Sequence, residues 1–247
     1  MKFSEKSQIA IVWWALIFTT IYGLALGYLL HMIGPPSATL DPEQVKAWYL
    51  DNQTSIRWGA TITSYTSMFM APLWGVIAAQ IYRQEKSRGG VPIWTMLAAV
   101  NGPMMGLFLA LPPICWGVAA FNPNRPAEVT AVIHELGLLT LTTTDQVYVF
   151  NFVALGVIAL VPQVAKYSPF PRWYGFFTLF WMLAFEVGAL AFNFHSGPFS
   201  WNGLIVFWMP LTGFGFWILV TSVQLLKALH QQVADKDSAE VKVPVAA

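Results

Sequence analysis

Long uncharged intervals constrain this chain more than any other feature. No Asp, Glu, Lys or Arg occurs between Lys6 and Asp41, between Arg57 and Arg83, between Arg88 and Arg125, or between Asp145 and Lys166, and Glu186 alone interrupts the stretch from Arg172 to Lys227. A hydrocarbon core about 30 Å thick is crossed by roughly 20 apolar residues of helix. Each interval is therefore long enough to cross once, and the last is long enough to cross twice. The turn signal Asn193-Phe194-His195-Ser196-Gly197-Pro198 divides that last stretch. The pattern predicts an all-α fold, a polytopic membrane helix bundle with six spans near residues 9–31, 58–81, 92–119, 145–164, 173–193 and 202–226. These form one domain over residues 1–230, and the tail, 231–247, is read as disordered because it has no apolar face to bury.

Composition agrees. Charged residues make up 10% and hydrophobic residues 56% of the 247, whereas a water-facing domain carries about 25% charge. A formal charge of +1 with scattered basic residues excludes a nucleic-acid partner, which requires a basic patch or stripe. The absence of a Walker loop and of a G-x-G-x-x-G after a strand excludes nucleotide-driven chemistry. Cys115 is the single cysteine, in an apolar run, so neither an intrachain disulfide nor a cysteine metal cage forms. Lys2 and Lys6 precede the first apolar run, but that run exceeds 20 residues and no small-residue cleavage site closes it. It is read as an uncleaved first helix.

Orientation follows from the basic residues, which are retained on the cytoplasmic side. Ten of them, Lys2, Lys6, Arg83, Lys86, Arg88, Lys166, Arg172, Lys227, Lys236 and Lys242, fall on the side of the termini, against Lys46, Arg57 and Arg125 opposite. Both termini are predicted to be cytoplasmic. Two outer loops read as short interfacial helices. Asp41 caps a helix with Pro42 at its first position and Val45, Trp48 and Tyr49 at helical spacing. The second runs over Pro126–Leu136. Both are expected to lie flat, with Trp48 and Tyr49 at headgroup level.

An ionisable group within a span is a functional candidate by default. Glu186 stands 13 residues in from Trp173, past the midplane, and Asn193 returns to nearly the same helical face. This points to a proton relay, a general acid or base, or a ligand for a polar substrate group; the bland alternative is a hydrogen bond to a neighbouring helix. Asp145 follows three threonines and fits a helix cap. Tyr148 and Asn151 lie on the same helix, and Thr61, Thr63, Ser64, Tyr65, Thr66 and Ser67 stand at the same outer depth of the second span. Together with Asn101 these suggest a polar cavity open to the outer side. His134, Glu135, Asp145 and His195 form a second, weaker set for zinc or non-haem iron, joined by His31 and Glu186; no H-x-x-x-H or H-E-x-x-H supports it.

Helix breakers supply a further clue. Asn101-Gly102-Pro103 and Pro112-Pro113 interrupt the third span, Pro72 the second, and Pro210, Gly213 and Gly215 the sixth. Broken helices are tolerated where they are buried in protein or line a cavity. Gly23–Gly27 and Gly102–Gly106 also fit small-x-x-x-small packing, the better reading for the first pair. Twelve Trp, 18 Phe and nine Met supply material for a pocket for a flat apolar ligand such as a sterol, terpenoid or aromatic. Trp13, Trp14, Trp58, Trp94, Trp173 and Trp201 fit aromatic belts instead.

The strings Pro42-Glu43 to Trp48-Tyr49, Ser55-Ile56-Arg57-Trp58-Gly59, Phe170-Pro171-Arg172-Trp173 and Ser196-Gly197-Pro198-Phe199-Ser200-Trp201-Asn202-Gly203 resemble those of a large group of uncharacterised bacterial six-span integral membrane proteins. The resemblance implies topology and a bacterial inner membrane; no activity is established for the group, so it transfers no catalytic residue. Its members are similar to proteins often encoded among lipid and steroid metabolism genes, which points the ligand towards apolar molecules. Three readings remain. The chain binds or transports a small, largely apolar molecule through an outer-side cavity. Alternatively, it is a membrane-embedded enzyme or enzyme subunit with a His/carboxylate metal or proton-transfer site, or a structural partner subunit or homo-oligomer packing through its small residues. The sequence does not identify a cofactor.

Overall fold

The computed structural model describes residues 4–144 and 149–241. Every regular element among them is helical: α1 (Glu5–Leu24), α2 (Pro42–Asp51), α3 (Gln53–Thr66), α4 (Met70–Lys86), α5 (Ile93–Phe121), α6 (Ala127–Thr143), α7 (Val149–Leu160), α8 (Arg172–Glu186) and α9 (Met209–Val241). Among the described residues, four irregular turns extend these helices. Ala25–Leu29 and Leu204–Trp208 are π turns, and Ser67–Phe69 and Val187–Asn193 are 3-10 turns. With their extensions, five stretches are long and apolar enough to cross a membrane: Glu5–Leu29, Gln53–Lys86, Ile93–Phe121, Arg172–Asn193 and Leu204–Ser238. They coincide with the predicted first, second, third, fifth and sixth spans.

The fourth predicted span differs. Its first four residues, 145–148, lie outside the described residues. α7 then has 12 residues, about 18 Å of helix and too short to cross alone. Just before the undescribed segment, the predicted surface helix over 126–136 continues as α6 to Thr143, because Leu138, Leu139 and Leu141 prolong its apolar face. It packs back along the outer half of α5, where Gly137 makes room for Trp116; a Cβ there would stand 2.4 Å from the indole Nε1.

Several local predictions are met by specific contacts. Asp41 and Gln44 form a capping box at α2, each side chain accepting the other's backbone N–H at 2.8 and 3.0 Å. Glu85 reaches from α4 to the start of α5, where its carboxylate accepts the backbone N–H groups of Trp94 and Thr95 at 3.0 and 2.8 Å and the Thr95 hydroxyl at 2.6 Å. This satisfies amides that a helix N-terminus leaves unpaired. Gly102 and Gly106 pack as expected, against Trp74 and Met68.

Other predictions are corrected. α5 stays continuous through Pro103, Pro112 and Pro113, so the Asn101-Gly102-Pro103 string does not break it. Gly23 touches nothing: no heavy atom lies within 4 Å of where a Cβ would stand, while Gly27 is covered by Ile33 of its own chain. Tyr49 and Trp201 are buried within the protein instead of facing outward, because α2 and the loop before α9 fold over α6. The tail predicted as disordered from 231 is helical to Val241. Its polar residues find partners: Gln232 donates to Gln80 and to the Tyr167 carbonyl, Lys236 pairs with Glu5, and Asp235 pairs with Lys166. Gln8 and Gln80 continue this network, tying α1, α4 and α9 together at the end where most basic residues gather.

Candidate functional site

The irregular helix segments surround one cavity of about 190 Å³ in the middle of the bundle. The first π turn contributes Leu26, the first 3-10 turn Phe69, the second π turn Val206 and Phe207, and the segment just past α6 contributes Thr144. Phe185, one residue before α8 gives way to its 3-10 turn, completes that side. An extra or missing residue per turn swings side chains off the regular helical face, and such turns recur at functional sites.

Proline placement explains the cavity's one long-range hydrogen bond. Pro113 has no N–H, so the carbonyl four residues earlier, Leu109, loses its helical partner. The buried Tyr22 hydroxyl reaches across from α1 and donates to that carbonyl at 2.8 Å. The other hydroxyls on the wall are also spent. Thr19 donates to Ala15, Thr142 to Leu138 and Thr144 to Thr140, at 2.8, 3.0 and 2.7 Å. Among the described residues the wall thus offers no free donor. A site of this kind selects by shape and apolar packing, since an unmatched polar ligand group would lose its hydrogen bonds on entry.

Among the described residues, the polar ligand and metal candidates of the sequence do not form this wall. Thr63 and Ser67 are buried but donate within their own helix, to Gly59 and Ala60 at 2.8 and 3.2 Å and to Ser64 at 3.4 Å. Asn101 donates to Leu97 at 3.2 Å. Asn151 is fully buried, and neither atom of its amide has a hydrogen-bond partner among the described residues; its neighbour Phe152 packs on Trp74 and Trp217. Asn193 is exposed, and Glu186 is half-buried at the last position of α8. Tyr148 and Asp145 lie outside the described residues. The predicted second-span hydroxyls border something else: Thr61 and Ser64 line an open groove between α3 and α5, with Arg57 and Phe121 at one end. The cavity residues that sequence reasoning passed over are Tyr22, Leu26, Phe69, Met105 and Phe207. The legible signal for Tyr22 was Pro113, which frees a carbonyl that some donor must satisfy.

A second cluster sits at the far end from the basic residues. His134 Nδ1 lies 2.9 Å from the Tyr49 hydroxyl, and the rings of Trp48, Tyr49 and Trp201 surround the imidazole at 6.0, 5.5 and 6.2 Å. Trp201 donates to the Pro36 carbonyl at 2.9 Å. His31, in a left-handed conformation with φ 56°, lies 3.2 Å from the Ser55 hydroxyl. Burial raises the Tyr49 phenol, and its contact with His134 clasps α2 to α6. His134 and Glu135 point apart, one buried and one exposed, and His195 is exposed in its loop. Among the described residues no three His, Cys, Asp or Glu side chains gather around a metal position.

Compared with known proteins, the chain matches no protein family, no curated protein and no solved structure.

Proposed function

We propose that this chain is a six-crossing membrane protein, with both termini on the basic, cytoplasmic side, that binds or passes a small, largely apolar molecule in the mid-bundle cavity. The fourth crossing in this reading is α6 and α7 together, with Thr144, just past α6, on the cavity wall. The observation that carries the reading is the cavity wall: predominantly apolar, with each of its hydroxyls among the described residues committed to a backbone carbonyl. At about 190 Å³ it exceeds the ~150 Å³ apolar cavity that stays dry and takes up benzene. Interrupted helices around such a space are the arrangement that membrane binding sites tolerate.

Compared with the sequence-based expectation, the proposed ligand loses its polar anchor. Glu186 and the second-span hydroxyls have no place on the wall, so recognition rests on fit. The test is native mass spectrometry of the detergent-extracted protein. The wild type is expected to retain an apolar adduct that a cavity-filling variant, Leu26→Phe with Met105→Phe, loses. Adduct-free wild type, or an adduct equally retained by the filled variant, would refute the reading.

A further inference from the structure

The shape of the cavity narrows the ligand class, an inference that rests on the reading that this cavity takes an apolar molecule. On α9 and its π turn the wall residues Val206, Pro210, Phe214 and Ile218 recur every fourth position, one helical face about 18 Å long. About 190 Å³ lies beside this face, a slot running with the helices that suits a long, thin occupant better than a broad fused-ring one. A single hydrocarbon chain needs only length.

The slot is also open on one side. Leu26, Phe69, Met105 and Phe207 at its back are buried, whereas Gly23 on α1 and Pro210 and Phe214 on α9 are half-buried. The missing side chain at Gly23 leaves an opening there, with no atom within 4 Å of a Cβ position, and the same holds for Gly215 beside Phe214. At the outer end Ile33 folds over Gly27, 3.0 Å from where its Cβ would stand, which closes the slot towards that end. In a spanning chain the open side faces acyl tails.

We infer that the slot holds one linear hydrocarbon chain, acyl or isoprenoid, which enters sideways from the bilayer between α1 and α9 past Gly23. Its polar end stays outside, because the wall has no donor left to receive it. Gly23 is the position that sets access: any side chain there stands in the opening, while the neighbouring Leu24 points outward.

The experiment is photo-crosslinking of the full chain in phospholipid vesicles with three diazirine probes, a fatty acid, an isoprenoid alcohol and a sterol, followed by peptide mass spectrometry. The two linear probes are expected to label the segments around Tyr22–Leu26 and Phe207–Ile218, and excess unlabelled oleate or isoprenoid alcohol to compete. Their relative yield distinguishes acyl from isoprenoid chains. Gly23→Phe should cut this labelling about tenfold or more, as added bulk does in an apolar pocket, and Leu24→Phe should leave it unchanged. Phe214→Trp, which narrows the mouth from the α9 side, carries the same expectation should Gly23→Phe not fold. Labelling by the sterol as strong as by the chains, labelling that does not saturate, or full labelling of a folded Gly23→Phe protein would overturn the inference. If only the sterol labels, the cavity reading survives and the linear-chain inference fails. If no probe labels and no adduct accompanies the protein, the cavity reading fails too.

Discussion

Tyr22→Phe isolates the consequence of Pro113 for this fold. The substitution keeps the ring that lines the cavity and removes only the hydroxyl that satisfies the Leu109 carbonyl. Tyr22 is buried, so that carbonyl would have no water to turn to. Leaving a buried acceptor unpaired costs about 1–3 kcal/mol, and hydrogen bonds between membrane helices are measured at about 0.6–2 kcal/mol. A loss of about 1–2 kcal/mol is expected, seen as an apparent Tm lower by about 2–8 °C at fixed scan rate. The assay is thermal unfolding in detergent. The decisive arm is a double-mutant cycle with Pro113→Ala, which restores the N–H that the Leu109 carbonyl lacks. In that background Tyr22→Phe should cost at least about 0.5 kcal/mol less, the coupling expected of contacting residues. An equal cost in both backgrounds would show that the hydroxyl does not compensate the proline, and the account of how α1 is tied to α5 would be wrong.

Other outcomes follow from the same contacts. His134→Ala removes the partner of the buried Tyr49 hydroxyl and should lower stability by about 1–3 kcal/mol, read as a lower apparent Tm. Glu85→Ala removes the buried cap of α5 and should lower stability by about 1–2 kcal/mol without changing the retained adduct. Gly213→Ala places a Cβ 2.0 Å from the Trp181 ring and should cost about 1–3 kcal/mol through overpacking between α8 and α9. Glu186→Gln should leave the cavity adduct in place, because Phe185 and not Glu186 stands on the wall; loss of the adduct would return the carboxylate to the ligand site.

How much of this protein was legible in advance depends on the range of the forces involved. Five apolar spans, the Asp41–Gln44 cap and the close approach at Gly102 and Gly106 follow from uncharged runs, local hydrogen bonds and small-residue spacing, which are properties of neighbours along the chain. The site was misread for a matching reason. Thr63, Ser67 and Asn101 are polar residues in a span, and a one-dimensional reading counts them as available, yet each donates to a backbone carbonyl in the turn before it. Tyr22, Leu26 and Phe207 look like ordinary apolar residues, yet packing of α1 against α5 and α9 brings them to one space. Which helix faces which neighbour, and where a gap survives between them, is settled by contacts among residues far apart in the chain, since close packing either fills a space or leaves it and no local signal records the result.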